Sequence, residues 1–282
     1  MNQKRNASAF CNYNESFTQY DQNRQPNGLQ ELLQIFGQSR IPVGEQTILE
    51  GGFGTGSYLN YIRRHAKAVY GVEGSEQGFQ ETGIKIGDAE NVHLQMGNIL
   101  DLSFADEFFD AYMVNQVLHH LDTENTYPNL TKFLKESRRV LKPGGVLTIN
   151  TCSQEQLDPH TGAYWNYRYP QNAVRALQKK YISVEALISR LEKLNFTDIS
   201  TTIPSGRLFQ ESYYRDPESI LVPAFQKADS LYCLLSESEI REITALIHTA
   251  IDDGSAYQHM YNVAERVDNM GEAIIVSARN PM

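Results

Sequence analysis

Ile48-Leu49-Glu50-Gly51-Gly52-Phe53-Gly54-Thr55-Gly56 is the stretch on which the reading of the fold turns. Thr47 to Glu50 reads as a buried strand, and Tyr58 to His65 as a helix that opens at the glycines. A strand running through glycines straight into a helix has the form of a nucleotide-cofactor loop. Without a Cβ the backbone turns tightly and a ligand can come close, while the helix N-terminus offers unpaired N–H groups. Spacing then separates the cofactors. A dinucleotide loop, G-x-G-x-x-G, needs its third glycine at position 57, which is Ser57; the glycines fall at 52, 54 and 56. No Gly-Lys-Ser/Thr follows, so a Walker A loop is excluded as well.

Outward from the loop, strand and helix signals alternate. Ala68 to Glu73 reads as a second strand, followed by a helix starting near Ser75. Val92–Met96 and Phe109–Val114 read as strands. Phe133 to Leu141 reads as a helix stopped by Lys142-Pro143-Gly144-Gly145, with Val146–Ile149 as the next strand. Ser183 can cap a helix through Leu187, Leu191 and Leu194, ahead of a strand over Phe196–Ile203. The last strand candidate, Glu272–Ser277, comes only after residues 204–271, which are helical by pattern; Ser236-Glu237-Ser238-Glu239 there has capping-box spacing. The expectation is an α/β, Rossmann-like, doubly wound sheet of seven strands, parallel with helices on both faces, with a helical insertion or lid between the last two strands. Upstream, Leu29, Leu32, Leu33 and Phe36 recur at helical spacing. The chain divides into an N-terminal arm (1–27), a core (28–203), the insertion (204–271) and the last core strand (272–282).

Bulk properties narrow the function classes. The 282 residues carry 41% hydrophobic and 21% charged residues, as an ordinary globular domain does. A formal net charge of −9 disfavours nucleic acid as a partner. No stretch approaches the roughly 18 apolar residues of a membrane span, and the polar N-terminus lacks the apolar core of a signal peptide, so a cytoplasmic location is the default. Cys11, Cys152 and Cys233 form no CxxC pair and are read as lone thiols, with no metal site expected.

The E-x-G-x-G-x-G pattern resembles the first motif of the class I S-adenosylmethionine-dependent methyltransferases, in their small-molecule branch, and later segments match that family in order. Gly97-Asn98-Ile99 resembles the segment that contacts adenine. Phe109 to Leu121 resembles the fourth-strand motif, and Arg138 to Leu147 the helix-turn-strand that closes the core. The resemblance covers residues 46–150. It implies that residues 28–203 form an S-adenosylmethionine-binding core, with Glu50, Gly52, Gly54, Gly56, Glu73, Asn98, Ile99 and Asn115 holding the cofactor. Glu73 lies about 20 residues past the loop, where a carboxylate can accept from both ribose hydroxyls. Phe53 and Gly51 depart from the usual small and aliphatic residues of that motif, and Asn98 stands where an aspartate is common. The segment with Tyr13, Tyr20-Asp21 and Arg24 resembles the arm that folds over the cofactor.

Methyl transfer from a sulfonium is an in-line displacement that needs alignment and exclusion of water rather than a nucleophilic triad or a metal. His119, His120 and Tyr20 are the candidates for a catalytic base or donor, the histidines equally readable as structural. Tyr13, Arg24, Tyr164, Arg168 and Tyr213 are the candidate substrate contacts. Aromatics are dense in the second half, including Trp165, Tyr167, Tyr169, Tyr214, Tyr257 and Tyr261, and aromatic faces stabilise the cation made when a thioether or tertiary amine is methylated. The expected activity is methylation of a small molecule on sulfur or nitrogen, yielding S-adenosylhomocysteine, by a monomer or homodimer. The alternatives are O-methylation of a small hydroxylated metabolite and a non-catalytic cofactor-binding scaffold.

Overall fold

The computed structural model describes residues 17–122 and 126–282, with side chains from residue 20 onward. Seven strands form one sheet: β1 (Thr47–Gly51), β2 (Ala68–Glu73), β3 (Val92–Met96), β4 (Phe109–Asn115), β5 (Leu141–Thr151), β6 (Thr197–Thr202) and β7 (Ile274–Arg279), in the spatial order β3-β2-β1-β4-β5-β7-β6. β1 to β5 pair in parallel, whereas β7 lies antiparallel between β5 and β6. The expectation of a parallel sheet therefore fails at β7, which returns from the helical segment and enters the sheet from the opposite end. β4 is buried at every position from Phe109 to Val114. That burial on both faces is why the central strands read as continuous apolar runs rather than alternations.

The helices around the sheet are α1 (Phe17–Asn23), α2 (Leu29–Gly37), α3 (Ser57–Ile62), α4 (Glu76–Ile86), α5 (Pro128–Val140), α6 (Gln171–Gln178) and α7 (Val184–Lys193). α4 and α7 start at serine caps. Ser75 accepts from Gly78 N at the head of α4, and Ser183 from Ala186 N at the head of α7. α5 buries Leu130, Phe133, Leu134, Ser137 and Val140, a stripe at helical spacing. Between β6 and β7 the chain forms α8 (Ser212–Arg215), α9 (Pro223–Ala228), α10 (Glu237–Asp252) and α11 (Ser255–Met270). α10 begins with the reciprocal Ser236/Glu239 capping box that the sequence spacing announces.

Two clusters lie on the faces of the sheet, and a third joins the insertion to the chain after β5. Tyr164, Trp165 and Tyr167 pack in that third cluster with Phe209, Tyr213, Phe225, Ile243 and Val263. The arm is tied to the same body: Gln25 N donates to Leu208 O at 3.0 Å and Gln210 N to Asn23 O at 3.0 Å. Cys152 is free and buried, whereas Cys233 is disulfide-bonded, which corrects the expectation of three lone thiols. Among the described residues no helix is long and apolar enough to cross a membrane.

Candidate functional site

β1 ends at Gly51, and the chain turns through Gly52–Gly56 into α3 with φ of 67°, 53° and 70° at Gly52, Gly54 and Gly56. Side chains are excluded sterically as well as conformationally. A Cβ on Gly52 would lie 2.8 Å from Val117 Cγ2, and one on Gly56 2.5 Å from Thr82 Cγ2. The loop is pinned to its neighbours: Gly52 N donates to Val72 O at 2.7 Å and Thr82 Oγ1 to Gly54 O at 2.8 Å. Phe53 is buried, and its ring lies 6.5 Å from that of Phe79, forming part of the cavity wall.

Glu73 closes the loop from β2. Its carboxylate accepts from Gly54 N and from Ser75 N, each at 2.8 Å. Burial pushes this carboxyl up from its ordinary value, opposed by the N–H groups of Ser75, Gly54 and Gly74. Glu50, at the end of β1, is 1% exposed and accepts from Asn115 Nδ2 at 3.0 Å. Burial pushes the Glu50 carboxyl up to about 8, against the Asn115 hydrogen bond. Glu50 Oε2 and Asn115 Oδ1 have no partner among the described residues. Buried acceptors are normally satisfied, so two of them beside a glycine loop form a receptor for a donor such as an ammonium group. The aminoacyl end of S-adenosylmethionine carries that group, and the Glu73 oxygens suit its ribose.

A single cavity brings together Glu50, Gly52, Gly54, Glu73 and Asn115 with Tyr20, Arg24, His119, His120 and Tyr164. Gly56 flanks it as the residue before α3. Asn98 and Ile99 are not in its wall. The Asn98 side-chain oxygen accepts from Leu100 N at 2.9 Å, capping its own turn, and Ile99 packs against Leu49 and Val72. Asn98 is exposed at the turn after β3, and this hydrogen bond leaves the amide nitrogen and one lone pair of the oxygen outside that cap.

The rest of the cavity is a vestibule. His119 and His120 sit on the single turn Leu118–His120 that follows β4, their ring centroids 3.8 Å apart. His119 stacks on Tyr181 at 4.3 Å and 14°. Burial pushes His119 well below the usual imidazole range and His120 down to about 3. Burial likewise raises the phenols of Tyr20, Tyr164 and Tyr167, and lifts the Cys152 thiol to about 11. All of these groups are therefore uncharged near neutral pH. Arg24 supplies the vestibule's charge, with its Cζ 3.7 Å from the centroid of Phe209.

Other candidates fall elsewhere. Tyr213 does not reach the cavity: it stacks on Phe209 at 4.3 Å and donates to Asn166 Oδ1 at 2.8 Å, one layer behind the wall. Arg168, at the end of the turn Trp165–Arg168, is also outside the wall. Tyr257 and Tyr261 are exposed on α11. Tyr13 lies outside the described residues. Contacts absent from the sequence reading include Asp21, which accepts from Thr55 Oγ1 at 2.6 Å and Ser57 Oγ at 3.2 Å and pairs with Lys85. Gln116 is another: it lines the cavity at φ 55°, a strained conformation that residue type does not reveal.

Residues 49–149 match the family model of a methyltransferase domain. The chain is 29% identical over 159 residues to the tRNA (carboxymethyluridine(34)-5-O)-methyltransferase of Arabidopsis thaliana, covering 52% of this chain and 37% of that protein. It is 30% identical over 135 residues to demethylmenaquinone methyltransferase of Tropheryma whipplei, covering 47% of this chain and 53% of that protein. The chain thus spans about half or less of the length of these relatives. Its fold is similar to that of a methyltransferase assigned to an antibiotic biosynthesis pathway in Anabaena variabilis. The TM-score there is 0.69 at 17% identity, covering 90% of this chain and 98% of that one.

Proposed function

We propose, from the chain's membership of the class I S-adenosylmethionine-dependent methyltransferases, that it is an enzyme methylating a small molecule on a thioether sulfur or an amine nitrogen. The observation that carries this reading is the vestibule beside the glycine loop, walled by Tyr20, Tyr164, Tyr167 and Tyr181. Bound at the loop, S-adenosylmethionine supplies a methyl group already activated on a sulfonium. The chain's own residues have three tasks. Glu50 and Asn115 accept from the ammonium, and Glu73 exchanges backbone donors for ribose hydroxyls. The tyrosine wall excludes water and aligns the acceptor.

Among the described residues that line the vestibule, burial keeps the His119, His120, Tyr20 and Cys152 side chains neutral, and the Asp21 carboxylate is engaged by Thr55, Ser57 and Lys85. An acceptor with no proton to lose suits such a site. The phenol faces then stabilise the positive charge that develops on sulfur or nitrogen, which favours the transition state over the neutral ground state. His119 and His120 act here as wall residues and neutral hydrogen-bonding groups. Residues between Tyr20 and Pro26, with Ala228 and Ser230, line the cavity, and the formal net charge is −9; both features favour a small acceptor over a nucleic acid.

The test is a panel of thioether, amine and phenol acceptors assayed for release of S-adenosylhomocysteine. Turnover with thioethers or amines is expected. Turnover with phenols alone would replace this reading by O-methylation, and cofactor binding with no turnover on any class would favour a scaffold.

A further inference from the structure

We propose that Arg24 is the anchor for a carboxylate carried by the acceptor molecule. This rests on the reading that the vestibule receives a small acceptor, and it adds the chemical class of that acceptor. Arg24 follows α1, its side chain is 15% exposed, and it is the only lysine or arginine among the described residues that line the cavity. Three contacts fix the plane of its guanidinium. The group lies over the Phe209 ring at 3.7 Å, and Nε donates to Ala228 O at 3.3 Å. Nη2 stands 3.6 Å from Asp229 Oδ1, beyond hydrogen-bond length. A guanidinium has five N–H donors in a fixed fork, and these contacts engage few of them.

Asp229 explains how such a charge is tolerated in the ligand-free protein. It is fully buried, its Oδ1 accepts from Leu231 N at 3.0 Å, and the Tyr167 hydroxyl also favours its charged form. A buried cation is costly without a counter-charge, and the Asp229 carboxylate at 3.6 Å provides one without occupying the fork. An arriving carboxylate can take the remaining N–H groups bidentately, the geometry in which arginine holds anions best. With one cation, and with Asp21, Glu50 and Glu73 also lining the cavity, the site suits a single negative charge rather than a phosphate dianion.

The experiment is calorimetric titration of benzoate, with benzamide as its uncharged counterpart, into the full chain saturated with S-adenosylhomocysteine. Benzoate binding at least tenfold tighter than benzamide is expected. Arg24→Gln removes that preference, whereas Asp229→Asn, which withdraws the competing carboxylate, tightens benzoate several-fold. A purely structural Arg24–Asp229 strap would instead make both variants weaken benzoate together, and that result overturns the proposal. So does equal affinity for benzoate and benzamide in the unmodified protein. Should Arg24→Gln fail to fold, Arg24→Lys keeps the charge without the fork, and its preference for benzoate must fall. If S-adenosylhomocysteine itself does not bind, the methyltransferase reading fails and this one with it. If it binds and benzoate shows no preference, only the anchor fails.

Discussion

Glu50 accepts one hydrogen bond from Asn115, Nδ2 to Oε1 at 3.0 Å, and each of the two side chains then keeps one buried oxygen without a partner among the described residues. The pair is a preformed acceptor at the base of the glycine loop. The Glu50 carboxyl, raised to about 8 in the ligand-free protein, ionises against an arriving ammonium group, and that charge makes the pair selective for a cationic donor.

Glu50→Gln keeps the shape of this acceptor and removes its charge. A hydrogen bond to a charged group contributes about 1.5–3 kcal/mol, and ionising Glu50 at pH 7 from about 8 takes back about 1.4 kcal/mol, so S-adenosylmethionine affinity at pH 7 should fall by up to about 10-fold. Calorimetry measures it directly, and an undiminished affinity would remove Glu50 from the cofactor site.

The same carboxyl leaves a mark on the ligand-free protein. Its folded value is raised to about 8, so the folded state holds this proton more tightly than the unfolded chain does. Glu50 therefore lowers stability progressively as pH rises from the ordinary carboxylate range toward 8, and has no effect below that range, where both states are protonated. Thermal melts of Glu50→Gln against the unmodified chain should coincide near pH 4 and separate by pH 9, with the variant more stable. A variant less stable at pH 9 would contradict the assignment.

Gly56 has φ of 70° and would bring a Cβ 2.5 Å from Thr82 Cγ2. Gly56→Ala should destabilise the chain by about 1–3 kcal/mol and weaken cofactor binding. Adding Thr82→Ala should recover part of the loss by removing the clash and leave the conformational part. Full recovery, or none, in denaturant titrations would show that one of the two causes is absent.

Much of this was legible before any coordinates. The strand at Thr47, the strand over Ala68–Glu73 and the Ser75, Ser183 and Ser236 caps depend on local pattern, and local pattern is what a sequence displays. The antiparallel course of β7 was not legible, because strand direction is set by where the insertion releases the chain. Of the cavity wall, Glu50, Gly52 and Gly54 were legible from the spacing of the loop, Glu73 from its interval past the loop, and Asn115 from the fourth-strand segment. The cap that the Asn98 side-chain oxygen provides for Leu100 N at 2.9 Å was not legible from its position. Tyr181 and Cys152 enter the vestibule only through packing between distant segments. Tyr213 has the residue type of a wall tyrosine but lies behind Phe209, a difference of one layer that periodicity cannot register.

The histidine pair gives a pH test. His120 is held down to about 3 and His119 well below the usual range, both chiefly by burial. With a thioether acceptor, kcat/KM should therefore have no acidic limb centred near 6.5. A limb there that disappears in His119→Gln or His120→Gln would make that histidine a titrating base and overturn its reading as a neutral wall group.

The central claim is that the loop at 48–56 holds S-adenosylmethionine, and titration of S-adenosylhomocysteine into the full chain by calorimetry, with NAD in parallel, tests it most directly. The account predicts one-to-one binding with Kd of about 10 μM or tighter, about −7 kcal/mol, and no heat with NAD. No binding of S-adenosylhomocysteine, or equal binding of NAD, would contradict it.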